Sequence, residues 1–346
     1  MALSTGKLGA ASQLRLFERP ILAIETSCDE TSAAIVVGRA IRSNIIATQV
    51  AMHQKWGGVV PEAAARAHVE AILPVIAEAL EKANVTIKEL GAIAATNRPG
   101  LVGALSVGVT SAKALAFGLK IPLIGIHHLE GHLMSTLSLA ESPPFPHTCL
   151  IVSGGHTELV DVREPGNYRI VGETRDDAAG EAFDKGARLL GLGYPGGLAI
   201  QTSAVQGNPS RYPLPKGLSG DTIDFSFSGL KTAVLRLTEK EGSNLCVPDA
   251  AASLQEAIVS VLVERALRAM DQLGSRALSI VGGVASNVSL RARLKSACDR
   301  NGFDFYAPPF ELCTDNAAMI GLAASYRLAR GESDTFDLDL FPNADL

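Results

Sequence analysis

The chain has 346 residues, with 31 Lys plus Arg against 36 Asp plus Glu and a formal net charge of −5. At about 150 residues per domain, this length predicts two domains and a full buried core. The 47% apolar and 19% charged composition excludes wholesale disorder. The acidic balance excludes nucleic-acid coating through bulk charge, and 5% aromatics argue against stacking platforms for single strands.

Met1–Pro20 lacks the long apolar stretch of a secretory signal. Its Lys7, Arg15 and Arg19, with one acid at Glu18, leave a short flexible leader or a weak organelle-targeting segment. Ile21–Ile24 predicts the first strand. The polar turn ETSCDETS (Glu25–Ser32) follows, then an apolar run at Ala33–Val37, so the unit is a hairpin tipped with hydroxyls and carboxylates. A similar unit recurs at Cys149–Val152, Ser153–Thr157 (SGGHT) and Leu159–Val162. The two units start at 21 and 149, too far apart for a solenoid and consistent with a duplicated two-lobe fold.

Between them, Pro61–Lys82 predicts a helix, Ala92–Thr96 a strand, Asn97–Gly103 a turn, Ser106–Gly118 a helix and Leu123–Ile126 a strand. This order predicts parallel α/β layers. The Pro-rich Glu141–His147 is the best domain boundary, and 207–220 a second long loop. Asp249–Leu273 predicts a long helix, Ala277–Val281 a strand and Asp315–Arg330 the last helix. The expected division is a leader over 1–20, a first lobe over 21–146, a second over 147–334 whose last helix can pack back on the first, and a tail over 335–346. Five cysteines with no CxxC pair exclude a disulfide framework and fit a reducing compartment. No apolar run reaches about 18 uninterrupted residues, so no membrane span is expected.

The sharpest motif is HHLEGH at His127–His132, directly after a strand. On a helix, His128 and His132 share one face, as a metal requires. The likeness to the zinc-peptidase HExxH is superficial. Glu130 follows His128 by two positions, about 200° around the helix, and points away from such a metal. A third ligand must come from elsewhere. Asp315 in CTDNAAMIG is the candidate, with a helix-capping role for Thr314 or Asp315 as the alternative. Two imidazoles and a carboxylate suit Fe(II) or Zn(II) equally.

Glycine turns follow strands at Ser153-Gly154-Gly155-His156, Gly196-Gly197 and Gly282-Gly283. Backbone N–H groups there can approach a phosphate or carbonyl, which predicts a nucleotide cleft. Asp184 in GEAFDKGARLL is either a solvated helix face or an acceptor for ligand hydroxyls. Asn287 ends GGVASN and either reads a base or ribose or caps a helix. Arg291, Arg293, Lys295 and Arg300 are either a solvated face or an RNA phosphate site.

Seven ordered blocks, ETSCDET, HHLEGH, VSGGHTEL, FDKGARLLGLGYPGG, DFSFSGLKT, GGVASN and CTDNAAMIG, resemble the TsaD-type tRNA threonylcarbamoyltransferases over nearly the whole chain. The resemblance implies an α/β, duplicated two-lobe actin/hexokinase-like fold. It implies transfer of a threonylcarbamoyl group from threonylcarbamoyl-AMP to N6 of the adenosine 3′ of the tRNA anticodon. It implies one divalent metal, Fe(II) before Zn(II), on His128, His132 and Asp315. Ligand contacts are implied at Ile151, Val152, Ser153, Gly154, Gly155, Asp184, Gly197 and Asn287. The resemblance names no general base, and His156 is a candidate only by its place beside the glycine turn. TsaB-like and TsaE-like proteins are implied partners. A bacterial cytoplasm is the expected setting, with a mitochondrion or plastid as the lesser alternative. Two departures stand out: Ile151 replaces the Tyr of archaeal and eukaryotic cytosolic relatives, and Gln201 replaces an Asp of some bacterial ones. Rival readings are an actin-like kinase or ATPase with Glu25 and Asp29 on Mg²⁺, a metallopeptidase, and a non-catalytic scaffold.

Overall fold

The computed structural model describes residues 14–346. Its first sheet is built from β1 (Ile21–Glu25), β2 (Glu30–Val37), β3 (Ala40–Thr48), β4 (Ala92–Arg98) and β5 (Leu123–His127). Between β3 and β4 run a short turn of helix, α1 (Val50–His53), and α2 (Pro61–Ala83); α3 (Val102–Leu119) joins β4 to β5. After β5 comes α4 (His128–Met134). The second sheet holds β6 (His147–Val152), β7 (Thr157–Glu164), β8 (Asn167–Glu173), β9 (Ala277–Val281) and β10 (Asp304–Tyr306). Its helices are α5 (Ala179–Leu189), α6 (Gly196–Ala204), α7 (Ser228–Glu241), α8 (Val247–Leu273) and α9 (Val288–Asn301), and α10 (Ala317–Ala329) closes the series.

The duplication is explicit in the strand order. The first sheet reads β3-β2-β1-β4-β5 and the second β8-β7-β6-β9-β10. In each, a three-stranded antiparallel meander is extended by two parallel strands. The central strands β1, β4, β6 and β9 are continuous runs such as ILAIE and ALSIV, buried on both faces. The β3 and β8 strands, absent from the expected elements, are half-exposed edges with mixed polarity.

Several boundaries differ from expectation. The β4 strand runs on to Arg98 and α3 starts at Val102, so the expected turn is shorter. By length and a mean hydropathy of 1.5, α3 passes the test for a membrane span. Yet Ala104, Leu105, Val109, Ala112 and Ala116 form a buried stripe, and the helix packs on β4 and α2 as part of the first lobe.

The last helix returns to the first lobe. α10 lies across β1 and β2, and Ala317–Leu328 joins Ile21, Ala34 and Val36 in one core. The chain beyond it is docked as well. The Asp334 N–H donates to Leu123 O, Phe341 N–H to Asn97 O, and Leu338 packs against the first lobe's core beside Gly125 of β5. The expected leader is partly corrected: residues 1–13 lie outside the described residues, but Leu14, Leu16 and Phe17 pack on α10, and Phe17 N–H donates to Ser325 O.

Candidate functional site

The ends of β1, β4 and β5 converge where α4 begins. His127 caps that helix, its Nδ1 accepting from Leu129 N at 3.1 Å. One turn of helix puts His128 and His132 side by side, their rings edge to face with centroids 4.7 Å apart. Both Nε2 atoms aim at Asp315 Oδ1, at 3.4 and 3.2 Å. Asp315 arrives on the loop before α10. Asn316 caps that helix by accepting from Met319 N, so Asp315 is not the cap. One donor atom from each of the three residues lies within 4.8 Å of the others.

Behind His128 sits Glu25, fully buried at the end of β1. Its Oε2 is 3.0 Å from His128 Nδ1 and accepts from Thr96 Oγ1 at 2.6 Å, while Oε1 accepts from Ser27 N at 2.5 Å. This carboxylate accepts from His128 Nδ1, which turns Nε2 toward Asp315. Burial works against ionised Glu25 and Asp315, but the charge of His128 outweighs it and holds both below the usual carboxylate range. Burial likewise opposes charging His128, and here Asp315 and Glu25 win, raising its pKa well above normal. Burial wins at His132, which is lowered. Two carboxylates thus demand positive charge at the point where two Nε2 atoms converge. A divalent cation with mixed N/O ligands meets that demand, so the residues fit a metal.

The functional residue missing from the metal assignment is Glu25. In sequence it stands out only as a carboxylate at a strand end, and it is 103 positions from His128. Its three partners leave it turned into the protein, which removes it from the Mg²⁺ role of the kinase reading. Glu130 lies on the other side of α4, its Oε1 accepting from Tyr168 Oη and its Oε2 3.5 Å from Arg327. It lines a separate cavity of about 560 Å³ that excludes the triad, so the peptidase arrangement is absent.

The second tip faces this centre from the other lobe. The Ser153 N–H donates to His156 O, and Ser153 Oγ accepts from Gly155 N and His156 N at 3.3 and 3.0 Å. Gly154 is left as the amide of this turn with no partner among the described residues, and Gly154 and Gly155 are exposed. Ile151 and Val152 differ from a ligand-lining role by side chain: both are fully buried, on opposite faces of β6. His156 is half-buried. Burial, with the nearby His128 and His132, pushes its pKa down to about 4, so it is a neutral imidazole at pH 7.

Asp184 is not on a solvated face. Its Oδ1 accepts from Gly196 N at 2.7 Å, and burial raises its pKa. A Cβ at Gly196 would fall 2.4 Å from Asp184 Cα, whereas Gly197 has open space. Asn287 caps α9 through Leu290 N, and its amide nitrogen donates to Gln255 Oε1 at 2.9 Å. Gln201 accepts from Val288 N at 2.8 Å, tying α6 to the start of α9. Gln54 in the first lobe reaches Tyr194 O in the second, across the same cleft.

The fold and site define a class: a duplicated actin/hexokinase-like α/β protein with a His-His-carboxylate cluster between its lobes. Solved structures agree on the fold. Full-length HypF superposes with a TM-score of 0.58 at 13% identity over 92% of this chain and 48% of HypF. The activator of 2-hydroxyisocaproyl-CoA dehydratase from Clostridium difficile gives 0.53 at 12% identity, covering 90% and 96%. The family model described as "TsaD: tRNA N6-adenosine threonylcarbamoyltransferase" matches residues 40–322. Relatives of that name are 49% identical in Symbiobacterium thermophilum, over 96% of this chain and 98% of the relative, and 52% identical in Anaeromyxobacter dehalogenans, over 93% and 98%. The chain belongs to the TsaD family of tRNA N6-adenosine threonylcarbamoyltransferases.

Proposed function

We propose that this chain transfers the threonylcarbamoyl group of threonylcarbamoyl-AMP to N6 of the adenosine 3′ of the tRNA anticodon, at the cleft where His128, His132 and Asp315 meet. The observation that carries this reading is the convergence of those three side chains, with Glu25 buried behind His128. A divalent metal held there, Fe(II) by the family resemblance and Zn(II) as the alternative, would supply Lewis acidity toward the carbamoyl carbonyl.

The remaining steps belong to the chain's own groups. The Gly154 N–H, at the exposed glycine turn, is the backbone donor we assign to the mixed anhydride. Asp184, with one oxygen used by Gly196, keeps the other for a ligand hydroxyl. Asn287 holds the mouth of α9 and retains one amide hydrogen for the nucleotide. The target adenine swings out of its loop so that N6 meets the carbonyl carbon. The new C–N bond forms, the C–O bond to phosphate breaks, and AMP leaves with the phosphate oxygen. N6 is a weak nucleophile, so alignment carries most of the acceleration. Neutral His156 is the acceptor we assign to the N6 proton, since its lone pair is available at pH 7. The TsaB-like and TsaE-like partners supply surface for tRNA that a chain of net charge −5 lacks. Bacterial relatives, a tRNA substrate and five free cysteines support a bacterial cytoplasmic setting.

The test is single-turnover modification of an unmodified tRNA reading codons that begin with A, with threonylcarbamoyl-AMP and the bacterial partners. Wild type should form threonylcarbamoyladenosine and His132→Ala should not. Product at equal rates from both would overturn the metal-centred mechanism.

A further inference from the structure

The basic cluster of α9 does not converge on a phosphate. Arg293 pairs with Glu256 at 2.8 Å, Lys295 with Asp299 at 3.0 Å, and Arg300 donates to Ser296 Oγ. Arg291 turns inward. Its Nε donates to Ala285 O at 2.5 Å, and its Nη2 to Pro308 O and Cys313 Sγ at 2.7 and 2.8 Å. Pinned in this way, its guanidinium lies over the ring of Phe310, 4.2 Å from the centroid. Phe310 itself is 53% exposed. Beside the ring is a groove of about 320 Å³ lined by Val288, Ala292, Lys295 and Phe305.

Short chain links join this groove to the site: Arg291 bonds Cys313, two residues before Asp315. Phe310 leads into the loop that carries Asp315, and Val288 follows Asn287 at the start of α9. We propose that Phe310, backed by Arg291, is the docking platform for one unpaired base of the anticodon loop next to the target adenosine. The proposal rests on the transferase reading above. With the target adenine in the cleft, its neighbours on the strand must pass the rim, already unstacked from one another. A groove of about 320 Å³ has room for one base beside the ring. An aromatic ring held flat by an immobile cation loses little freedom when a base stacks on it. Low overall aromatic content excludes a many-base platform, but one ring serves one base.

The experiment compares Phe310→Ala, Phe310→Leu and Phe310→Trp in the full chain with its partners. Stacking predicts that Ala and Leu weaken binding of an anticodon stem-loop RNA by about ten-fold or more, while Trp retains it. Affinity for threonylcarbamoyl-AMP should not change. The Phe310→Trp variant, made in a Trp56→Phe background because Trp56 is the lone tryptophan, should be quenched by the stem-loop and not by a fully paired duplex. Wild-type RNA affinity in Phe310→Leu, equal quenching by duplex and loop, or quenching by a TsaB-like partner alone would each overturn the proposal. Quenching by the loop without any modification by wild type would sink the transferase reading and leave the platform standing. Full modification by Phe310→Leu at wild-type RNA affinity would do the reverse.

Discussion

The two hairpin tips occupy equivalent places in equivalent sheets, yet they are built in opposite ways. In the first, Glu25, Thr26, Ser27, Asp29 and Thr31 are buried. Their side chains bond inward, Glu25 to His128 and Thr96, Thr26 to Ala104 O, Thr31 to His68 Nδ1. In the second, the glycines are exposed and the only side-chain cap is Ser153 Oγ, which folds the turn on itself. Duplication supplied a common frame, and the tip residues then divided the labour. One lobe uses its tip to brace the helix that carries His128 and His132. The other leaves bare backbone exposed at Gly154 and Gly155.

This division makes graded predictions. The largest effect should come from the ligands themselves. His132→Ala or Asp315→Ala removes one of only three converging donors, and tRNA modification should fall about a thousand-fold, measured at equal folded concentration. Chelation of the wild type should reproduce that loss, and restored metal should reverse it. A loss below about ten-fold would mean the triad is not the reaction centre.

The brace should rank next. Glu25→Gln keeps the size but weakens the hold on His128 Nδ1, and metal affinity should drop about 10- to 100-fold, read by equilibrium dialysis. If the second tip were equally a brace, Ser153→Ala would match it.

Acid stability separates the sheets from their tips. His147 at the start of β6 is almost wholly buried against Pro144 O and Ser279 Oγ, and burial pushes its pKa down to about 4 from 6.5. The unfolded chain therefore binds a proton that the folded chain refuses, so stability is full above pH 6.5 and falls as pH drops toward 4. The loss is about 2 kcal/mol by pH 5. Urea midpoints against pH should show a shallower acid limb in His147→Gln, and an unchanged limb would count against a neutral buried imidazole.

The smallest effect is expected at the open tip. Ser153→Ala removes one acceptor from two solvent-near N–H groups, about 1 kcal/mol. It should raise KM for threonylcarbamoyl-AMP a few-fold and leave kcat and metal content alone.

Much of this arrangement was legible in the chain. Central strands read as unbroken apolar runs because both faces are covered, and the hairpins, the helix after β5 and the His128–His132 face follow from local spacing. Even the orientation of Glu130 follows from helical angle. The edge strands β3 and β8 escaped because one open face leaves them polar, with no clear period. Three decisions needed the tertiary structure. Asp315 could be a cap or a ligand by sequence; Asn316 takes the cap, and Asp315 turns its carboxylate to both imidazoles. Glu25 could serve Mg²⁺ or the protein until it was found against His128. Arg291 could be a solvated face or a phosphate contact by sequence, and instead its guanidinium is locked over Phe310. Sequence pattern determines which faces are buried, because burial follows periodicity within one element. Which residues from distant elements share a charge, a proton or a ring is decided only when the two sheets and α10 pack, because those energies depend on distances that no local period encodes.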